Sequence, residues 1–578
     1  MLDFSRLSSI GAALRDSTVA YKSHVALIEA DRHRENGRWT YREFRDQAER
    51  FAALLARRGV EPGDRCAILM QNQAKWLISA TGAMWTGCTL VPLDYKLTAR
   101  EQLELIGLCR PRVLVTEYHT WHKLCREEQR HVLERTLVLV TEPPKDGELG
   151  PAIAWALPET AEGFRYHEPA RDDVACLVYS SGTGGRPKGC MLTHGAYLSQ
   201  AEVLGNMYPM DEGDRFFSVL PTNHAIDFMC GFLLPLLMGG AVVHQRTLRS
   251  EFLSATMQRY GVTQIALVPR LLKAMKEKIE EKLDELPKWQ RVIVDGLIEA
   301  NERATRRAPN HRLSSRLLRP IHDGFGGKLR LIVTGGAFCE RETANFFNRL
   351  GFPLAIGYGL TEACTVLTLN DLKPFRGDSV GPPVEGVELE LRDKNAAGVG
   401  EVWVRSPTIM KGYLDQPELT EETIVDGWLR TGDLGTLDAA GHLKLVGRAK
   451  NMIVTEGGKN VYPEDIETAF NDLEGCEELC VFAANYIWPT GKLTGEQLII
   501  VLRRKDPGPH ETAEEIEERM LADVQKRNRR LSDFKRLSAY VIWEKEFTRT
   551  ASLKIKRQTL AKELREAFTR EEALQDLR

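Results

Sequence analysis

Helical and strand periodicities alternate from Thr40 onward, and that alternation restricts the fold more than any other feature of the chain. Residues 40–58 carry Tyr41, Phe44, Ala48, Phe51, Leu54 and Leu55 at helical spacing and close on Gly59, after which residues 65–70 read as a strand. The pattern continues with a helix over 76–85, a strand over 89–92, a helix over 98–108 and a strand over 113–116. A second series has strands at 215–220, 241–244, 264–268 and 329–334, with a charged helical stretch over 271–316 between the last two. Strands separated by helices pack as layered α/β sheets. From 386 to 445 the pattern changes to short, glycine-punctuated strands, among them 388–392, 400–405 and 442–446, which predicts a small β-rich unit. Residues 447–451 are polar and without periodicity, as a junction is. Beyond them a helix over 463–470, strands over 478–484 and 497–503 and an amphipathic helix over 560–577 predict a compact α+β domain. The expected fold is α/β: an N-terminal domain over 1–449, made of two α/β subdomains and the β-rich unit, and a smaller C-terminal domain over 450–578.

A chain of 578 residues is too long for one core and suggests about three to four folding units. Its 78 basic and 81 acidic residues nearly cancel, which argues against a dedicated nucleic-acid binder. The eleven cysteines lack the paired spacing of a disulfide framework, which fits reduced thiols in the cytoplasm. Cys476 and Cys480 have the spacing of a packed helix or strand rather than of a metal site. Met1-Leu-Asp-Phe-Ser-Arg6 lacks the basic-then-apolar order of a secretory signal, and a cytoplasmic location is expected. The longest apolar run, 228–243, is shorter than the about 20 residues of a bilayer span and is interrupted by Pro235, Gly239 and Gly240. It is expected to be a buried helix followed by a strand, leaving at most peripheral membrane contact.

The chemistry concentrates first in Tyr179-Ser-Ser-Gly-Thr-Gly-Gly-Arg-Pro-Lys-Gly189, which follows the apolar run 174–178. Glycines let backbone N–H groups approach an anion, hydroxyls add donors and Lys188 adds a mobile charge, so the composition is that of a phosphate cradle. It is not a Walker A loop, because Pro187 precedes Lys188 and Gly189 follows it. Taken alone, the loop reads equally well as a structural turn.

Further segments weigh on that choice: Gly357-Tyr-Gly-Leu-Thr-Glu362, Trp428-Leu-Arg-Thr-Gly-Asp433, Gly447-Arg-Ala-Lys-Asn-Met-Ile453 with Gly458-Lys-Asn-Val-Tyr-Pro-Glu464, and Thr550-Ala-Ser-Leu-Lys554. In this order and spacing the chain, from Trp39 to Lys554, closely resembles the adenylate-forming superfamily of acyl-CoA synthetases, luciferase-like enzymes and peptide-synthetase adenylation domains. The resemblance implies ATP, Mg²⁺ and coenzyme A, and a reaction in which a carboxylic acid becomes an acyl-AMP with release of pyrophosphate before a thiol takes the acyl group. A carboxylate needs that activation because oxide is a poor leaving group, and its attack on phosphate needs cations and donors to offset like charges. By the resemblance, Ser180, Ser181, Gly182, Thr183, Gly184 and Lys188 hold the departing phosphates, and Thr361 bonds the α-phosphate. Glu362 ligates Mg²⁺, Gly357, Tyr358 and Gly359 face adenine, and Gly335, Gly336 and Ala337 wall it. Asp433 takes the ribose hydroxyls with Arg448 nearby. Lys554 is the adenylation lysine of a mobile C-terminal domain, and Lys450 is its hinge. Rotation there brings the loop of Gly457 and Gly458 to the site for thioester formation. His224, in Leu220-Pro-Thr-Asn-His224, lines the acyl and thiol channel or is a core histidine. Singly, Tyr358 also reads as a turn aromatic, Asp433 as a cap and Lys450 as a solvated charge.

Two positions depart from the family pattern. Gly184 stands where a second Ser or Thr is usual, one phosphate donor fewer, and Leu553 replaces the glycine common before the lysine. The helical stretch 271–316, the Asn223-His-Ala-Ile-Asp-Phe228 segment and the continuous Gly458-Lys-Asn-Val-Tyr-Pro-Glu-Asp-Ile-Glu467 look most like long-chain fatty acyl-CoA synthetases. Small residues at Ala337 and around Ala363-Cys-Thr365 agree with a medium- or long-chain acid. Coenzyme A is the first choice of acceptor and an acyl carrier protein the second. The basic run Lys526-Arg-Asn-Arg-Arg530 with Lys535 and Arg536 suits either, or is a solvated helix face. Gly184 keeps open a catalytically silent nucleotide or acyl-AMP binder, against which Lys554, Glu362 and Asp433 speak. The expected assembly is a monomer or homodimer.

Overall fold

The first strand, Val25–Asp31, pairs in parallel with Ala241–Gln245, more than two hundred residues later, so the chain's beginning completes a sheet built mostly by its middle. In the computed structural model the residues described are 3–180, 187–454, 460–489, 497–508, 511–550 and 554–577. They form two compact units: Met1–Leu389 with Val404–Leu429, and Glu390–Trp403 with Arg430–Arg578. The position expected for the hinge, Lys450, lies within the second unit so divided.

The first unit holds two eight-stranded sheets, each mainly parallel. One runs in the order Arg65–Leu69 beside Thr89–Pro92 on one side and Val113–Glu117, Leu137–Thr141 on the other, with Val174–Ser180 and Lys188–Thr193 extending the first side. The other runs from Thr368–Leu369 through Leu354–Tyr358, Leu331–Thr334, Gln264–Leu267, Arg215–Ser218 and Ala241–Gln245 to the N-terminal hairpin Val25–Asp31 and Arg34–Thr40. The helices cover the faces that parallel strands need buried. Helix Tyr41–Arg57 starts at a Thr40–Glu43 capping box, and its apolar stripe meets helix Ala74–Trp85. Contact there is close: a Cβ on Gly82 would lie 2.5 Å from the Ala48 carbonyl oxygen. The apolar run that the sequence predicted as helix then strand is a π-helix, Phe228–Leu233, continuing into Leu234–Met238 before Ala241–Gln245. No helix among the described residues is long and apolar enough to cross a membrane.

The stretch 271–316 resolves into three helices, Pro269–Asp284, Lys288–Thr305 and His311–Leu317, separated at Pro287 and at the Asn310 cap. The β-rich region is a five-stranded sheet of Glu388–Arg392, Gly400–Arg405, Trp428–Leu437, Ile424–Val425 and Leu443–Arg448. Residues 447–451 are only partly a junction, because Gly447 and Arg448 finish a strand and a 3₁₀ turn, Ala449–Asn451, follows. The second unit ends in a four-stranded sheet of Cys476–Ala483, Leu498–Arg504, Ala539–Ile542 and Gln575–Asp576. The single helix expected over 560–577 is instead two helices and a strand. Helix Arg557–Ala567 stops at the extended Phe568, Thr569 and Glu572 form a new capping box for Arg570–Ala573, and Gln575–Asp576 becomes an edge strand.

One ion cluster ties the strand ends of the two large sheets. Arg246, just past Ala241–Gln245, pairs with Glu142 at 2.9 Å, Glu29 at 3.5 Å and Glu117 at 3.6 Å. Glu29 also accepts from the Ala74 N–H at 2.6 Å, at the start of a helix. Burial pushes the Glu117 carboxyl above its ordinary range even with Arg246 beside it. The guanidinium is what makes three adjacent carboxylates tolerable. Arg246→Met is expected to lower stability by about 2–3 kcal/mol, somewhat less than for a fully buried pair because the arginine is partly exposed. Urea denaturation should show a lower midpoint at unchanged slope.

Candidate functional site

Ligands of open parallel sheets gather where strands end at their carboxyl edge. Three such ends of the second large sheet meet in the first unit. Strand Arg215–Ser218 leads to the His224 loop, Leu331–Thr334 to Gly335 and Gly336, and Leu354–Tyr358 to the segment containing Thr361 and Glu362. Both glycines are required by geometry: a Cβ on Gly335 would sit 2.9 Å from the Gly357 carbonyl oxygen, and Gly336 has φ +78°. The bare backbone at these positions faces Ile226 of the His224 loop. Ala337 beside them is exposed, whereas Tyr358, at the strand end, is 7% exposed.

Past Tyr358 the chain turns sharply. A Cβ on Gly359 would fall 1.7 Å from the Thr365 carbonyl oxygen, so no side chain fits there. Thr361–Ala363 form one 3₁₀ turn, and Cys364 and Thr365 both take positive φ, 59° and 128°. Such backbone is costly for residues with a Cβ and persists only where its surroundings hold it. Here the Val366 N–H donates to Gln200 Oε1 at 3.0 Å, and Thr365 Oγ1 donates to the Ala225 carbonyl at 3.2 Å.

The turn presents Glu362 to Ser180, at the end of a strand pair: Val174–Ser180 pairs antiparallel with Lys188–Thr193, placing Ser180 opposite Lys188. Ser180 Oγ donates to Glu362 Oε1 at 3.4 Å, and Tyr413 Oη donates to the same oxygen at 3.0 Å. Tyr413 comes from Gly412–Tyr413, which pairs antiparallel beside Lys188–Thr193. The Lys188 ammonium lies 5.2 Å from the Tyr413 ring centroid. Burial, and then the Glu362 charge, push the Tyr413 phenol up, so it stays a donor. Cys190 Sγ donates to Ser180 Oγ at 3.9 Å, and burial raises that thiol as well. Ser181, Gly182, Thr183 and Gly184 lie outside the described residues.

Among the described residues no cluster of three His, Cys, Asp or Glu side chains could hold a metal ion. Glu362, a lone carboxylate among hydroxyls, fits Mg²⁺ bound chiefly through phosphate oxygens and water.

Tyr413, missed in the sequence, is 51 residues from Glu362 and carries no motif of its own. Asp227, three residues after His224, was also missed. It is fully buried against Gly231, accepting at Oδ2 from Ser218 Oγ at 2.7 Å and Thr222 Oγ1 at 2.9 Å. Asn72 Nδ2 donates to Ser218 Oγ at 3.1 Å, and the Thr222 N–H donates to Asn72 Oδ1 at 2.8 Å, so a polar network fixes the His224 loop from below.

In the second unit Asp433 and Arg448 face each other across paired strands, with Arg448 Nε 2.8 Å from Asp433 Oδ1. The buried Asp433 is held further by its N–H donating to Thr431 Oγ1 at 3.1 Å. Lys450 is exposed in the 3₁₀ turn that follows. Lys554 is also exposed, and its carbonyl accepts from the Thr550 N–H at 2.7 Å. Nearby Arg549 pairs with Glu478, a buried carboxylate that also takes Arg503 and the Phe547 N–H. Gly457, Gly458 and Leu553 lie outside the described residues.

A family model described as AMP-binding enzyme matches residues 14–414. A methyl-dioxo-octahydroindenyl-propanoyl:CoA ligase of Rhodococcus jostii (strain RHA1) is 29% identical over 461 residues, 77% of this chain and 81% of that one. A chloroplastic long-chain-fatty-acid acyl-carrier-protein ligase of Arabidopsis thaliana is 26% identical over 535 residues, covering 79% and 72%. The o-succinylbenzoate coenzyme A synthetase of Bacillus subtilis, solved with ATP and magnesium ion, superposes with TM-score 0.70 at 23% identity over 95% of this chain and 98% of that one. That likeness establishes the fold.

Burial pushes the Asp227 carboxyl up to about 7, against the hydroxyl donors that lower it. Its folded value thus exceeds the ordinary one near 4, and the protonated form favours folding. Stability is expected to fall as pH rises from about 4 to 7, and Asp227→Asn should flatten that fall, as measured by thermal melts across the range.

Proposed function

The chain belongs to the AMP-binding enzyme family, and on that premise we propose that it activates a medium- or long-chain fatty acid as acyl-AMP, then passes the acyl group to coenzyme A. The observation that carries this reading is the Glu362 carboxylate, held by Tyr413 and Ser180 at the end of the strand pair that bears Lys188.

The first step brings a carboxylate to the α-phosphate and expels pyrophosphate. Ser180 and Lys188 bind the departing phosphates with the rest of the glycine-rich loop, and Thr361 bonds the α-phosphate. Mg²⁺ on Glu362 would neutralise part of the triphosphate's charge. Tyr413 orients Glu362 by donating to one of its oxygens. Gly335, Gly336 and Ala337 offer adenine a wall of small residues, with Gly357, Tyr358 and Gly359 beside them. Asp433 takes the ribose hydroxyls, and Arg448 orients its carboxylate. Lys554 supplies the cation at the reacting carboxylate, where charge develops in the transition state. A turn of the C-terminal domain about Lys450 then removes Lys554 and brings Gly457 and Gly458, with His224 lining the path of the acyl chain and thiol. The thiolate attacks the acyl carbonyl, the thioester forms, and AMP leaves with the bonding electrons.

The thiol of an acyl carrier protein is the second reading. It is favoured by the exposed Lys526, Arg529 and Arg530, a surface fitted to an acidic partner.

The test is pyrophosphate release from ATP and Mg²⁺ with acids of graded length, with coenzyme A, with carrier protein and with neither. Absence of pyrophosphate with every acid would leave a silent binder. Lys554→Ala should slow adenylation about 10²–10³-fold while thioester formation from supplied acyl-AMP stays largely intact; equal loss of both refutes the division of labour. Tyr413→Phe should lower kcat/KM for ATP about tenfold, the worth of one hydrogen bond to a charged group, with no comparable change in kcat/KM for the thiol.

A further inference from the structure

Helix Lys288–Thr305 is apolar on two opposite faces. Ile298 is buried, and Val294 and Leu297 pack against the same core. On the far side Trp289, Val292, Ile293, Gly296 and Ala300 recur at helical spacing and are all exposed. Trp289 is 64% exposed, Val292 71% and Ile293 54%. A contiguous exposed apolar patch marks an interaction surface.

Charge complements the patch. Residues 303–330 contain seven arginines and a lysine against one acidic residue, Asp323, in a chain whose net charge is −3. Arg303, Arg319 and Arg330 are paired with Glu299, Asp323 and Asp214. Arg306, Arg307, Arg312 and Arg316 are exposed and make no ion pair among the described residues. Arg312 and Arg316 are four residues apart on helix His311–Leu317, which packs beside Lys288–Thr305. A Cβ on Gly351 would touch Ser314 of one and Asn301 of the other.

We propose that this face docks on the surface of an anionic lipid bilayer. Trp289, Val292 and Ile293 enter the boundary between headgroups and acyl chains, and the unpaired arginines engage acidic headgroups. An apolar helix face flanked by cations is the arrangement that binds such surfaces, and tryptophan favours that depth. A symmetric pairing of two copies through this face would set the arginines against one another or leave them uncompensated. The inference goes beyond the proposed reaction and holds whichever acid is activated, since binding is measured without turnover.

The test is co-flotation of the full chain with vesicles of phosphatidylcholine alone and of phosphatidylcholine mixed with phosphatidylglycerol. Binding is expected on the mixed vesicles, weakened by salt, with a blue shift of fluorescence that Trp289→Phe removes. Each arginine removed, as in Arg306→Gln or Arg312→Gln, should lower partitioning about fivefold. Val292→Glu with Ile293→Glu should lower it more, while the melting transition stays as in the parent chain. Failure to float with anionic vesicles overturns the proposal, as does unchanged flotation of the Val292→Glu, Ile293→Glu chain. It is equally overturned if the face binds an acidic carrier protein or a second copy in place of vesicles.

Discussion

The segment from Met410 to Leu414 is the contact on which the first unit's site depends. Its backbone extends one large sheet, Lys411 N–H donating to the Met191 carbonyl and Leu414 N–H to that of Gly189, each at 2.8 Å. Its Met410 N–H donates, also at 2.8 Å, to the carbonyl of Glu362, which belongs to a loop of the other sheet. Two independently layered sheets are thereby registered against each other by main-chain bonds, which side-chain substitution leaves in place. Tyr413 adds the side-chain part of the same link. Glu362 is therefore fixed at both its backbone and its carboxylate before any ligand arrives, the preorganisation that electrostatic catalysis requires.

Much of this architecture was legible in the sequence because it is local. Helix Tyr41–Arg57 and strands Thr89–Pro92, Glu388–Arg392 and Gly400–Arg405 follow from periodicity, caps and glycines within the segments themselves. Illegible parts are those decided by distant partners. Nothing near Val25 announces that it will pair with a strand starting at Ala241, and nothing in Gly412–Tyr413 announces a place beside Cys190 and Met191. The end of the chain failed for a different reason: Thr569 and Glu572 restart a helix where the apolar spacing continued unbroken.

The candidate site divides the same way. Motifs located the glycines, Glu362, Asp433 and Arg448 by type and order, and the structure supplies the close approaches that make Gly335 and Gly359 necessary. Asp227 escaped because its environment, not its neighbours in sequence, makes it unusual. A carboxylate sealed with Ser218 and Thr222 below the His224 loop stiffens the loop at some cost in folding energy, a pattern common near sites that must hold shape.

The eleven cysteines acquire a meaning from the proposed chemistry. An acyl adenylate is an acylating agent, and thiolates are the nucleophiles it would find first. Every cysteine in the chain is unpaired, and burial raises each thiol above its ordinary value, including Cys190 beside Ser180 and Cys364 just past Glu362. In the proposed reaction, Cys190 and Cys364 are thus held as thiols near Glu362 by their burial, which leaves the activated acyl group to a thiol that arrives from outside.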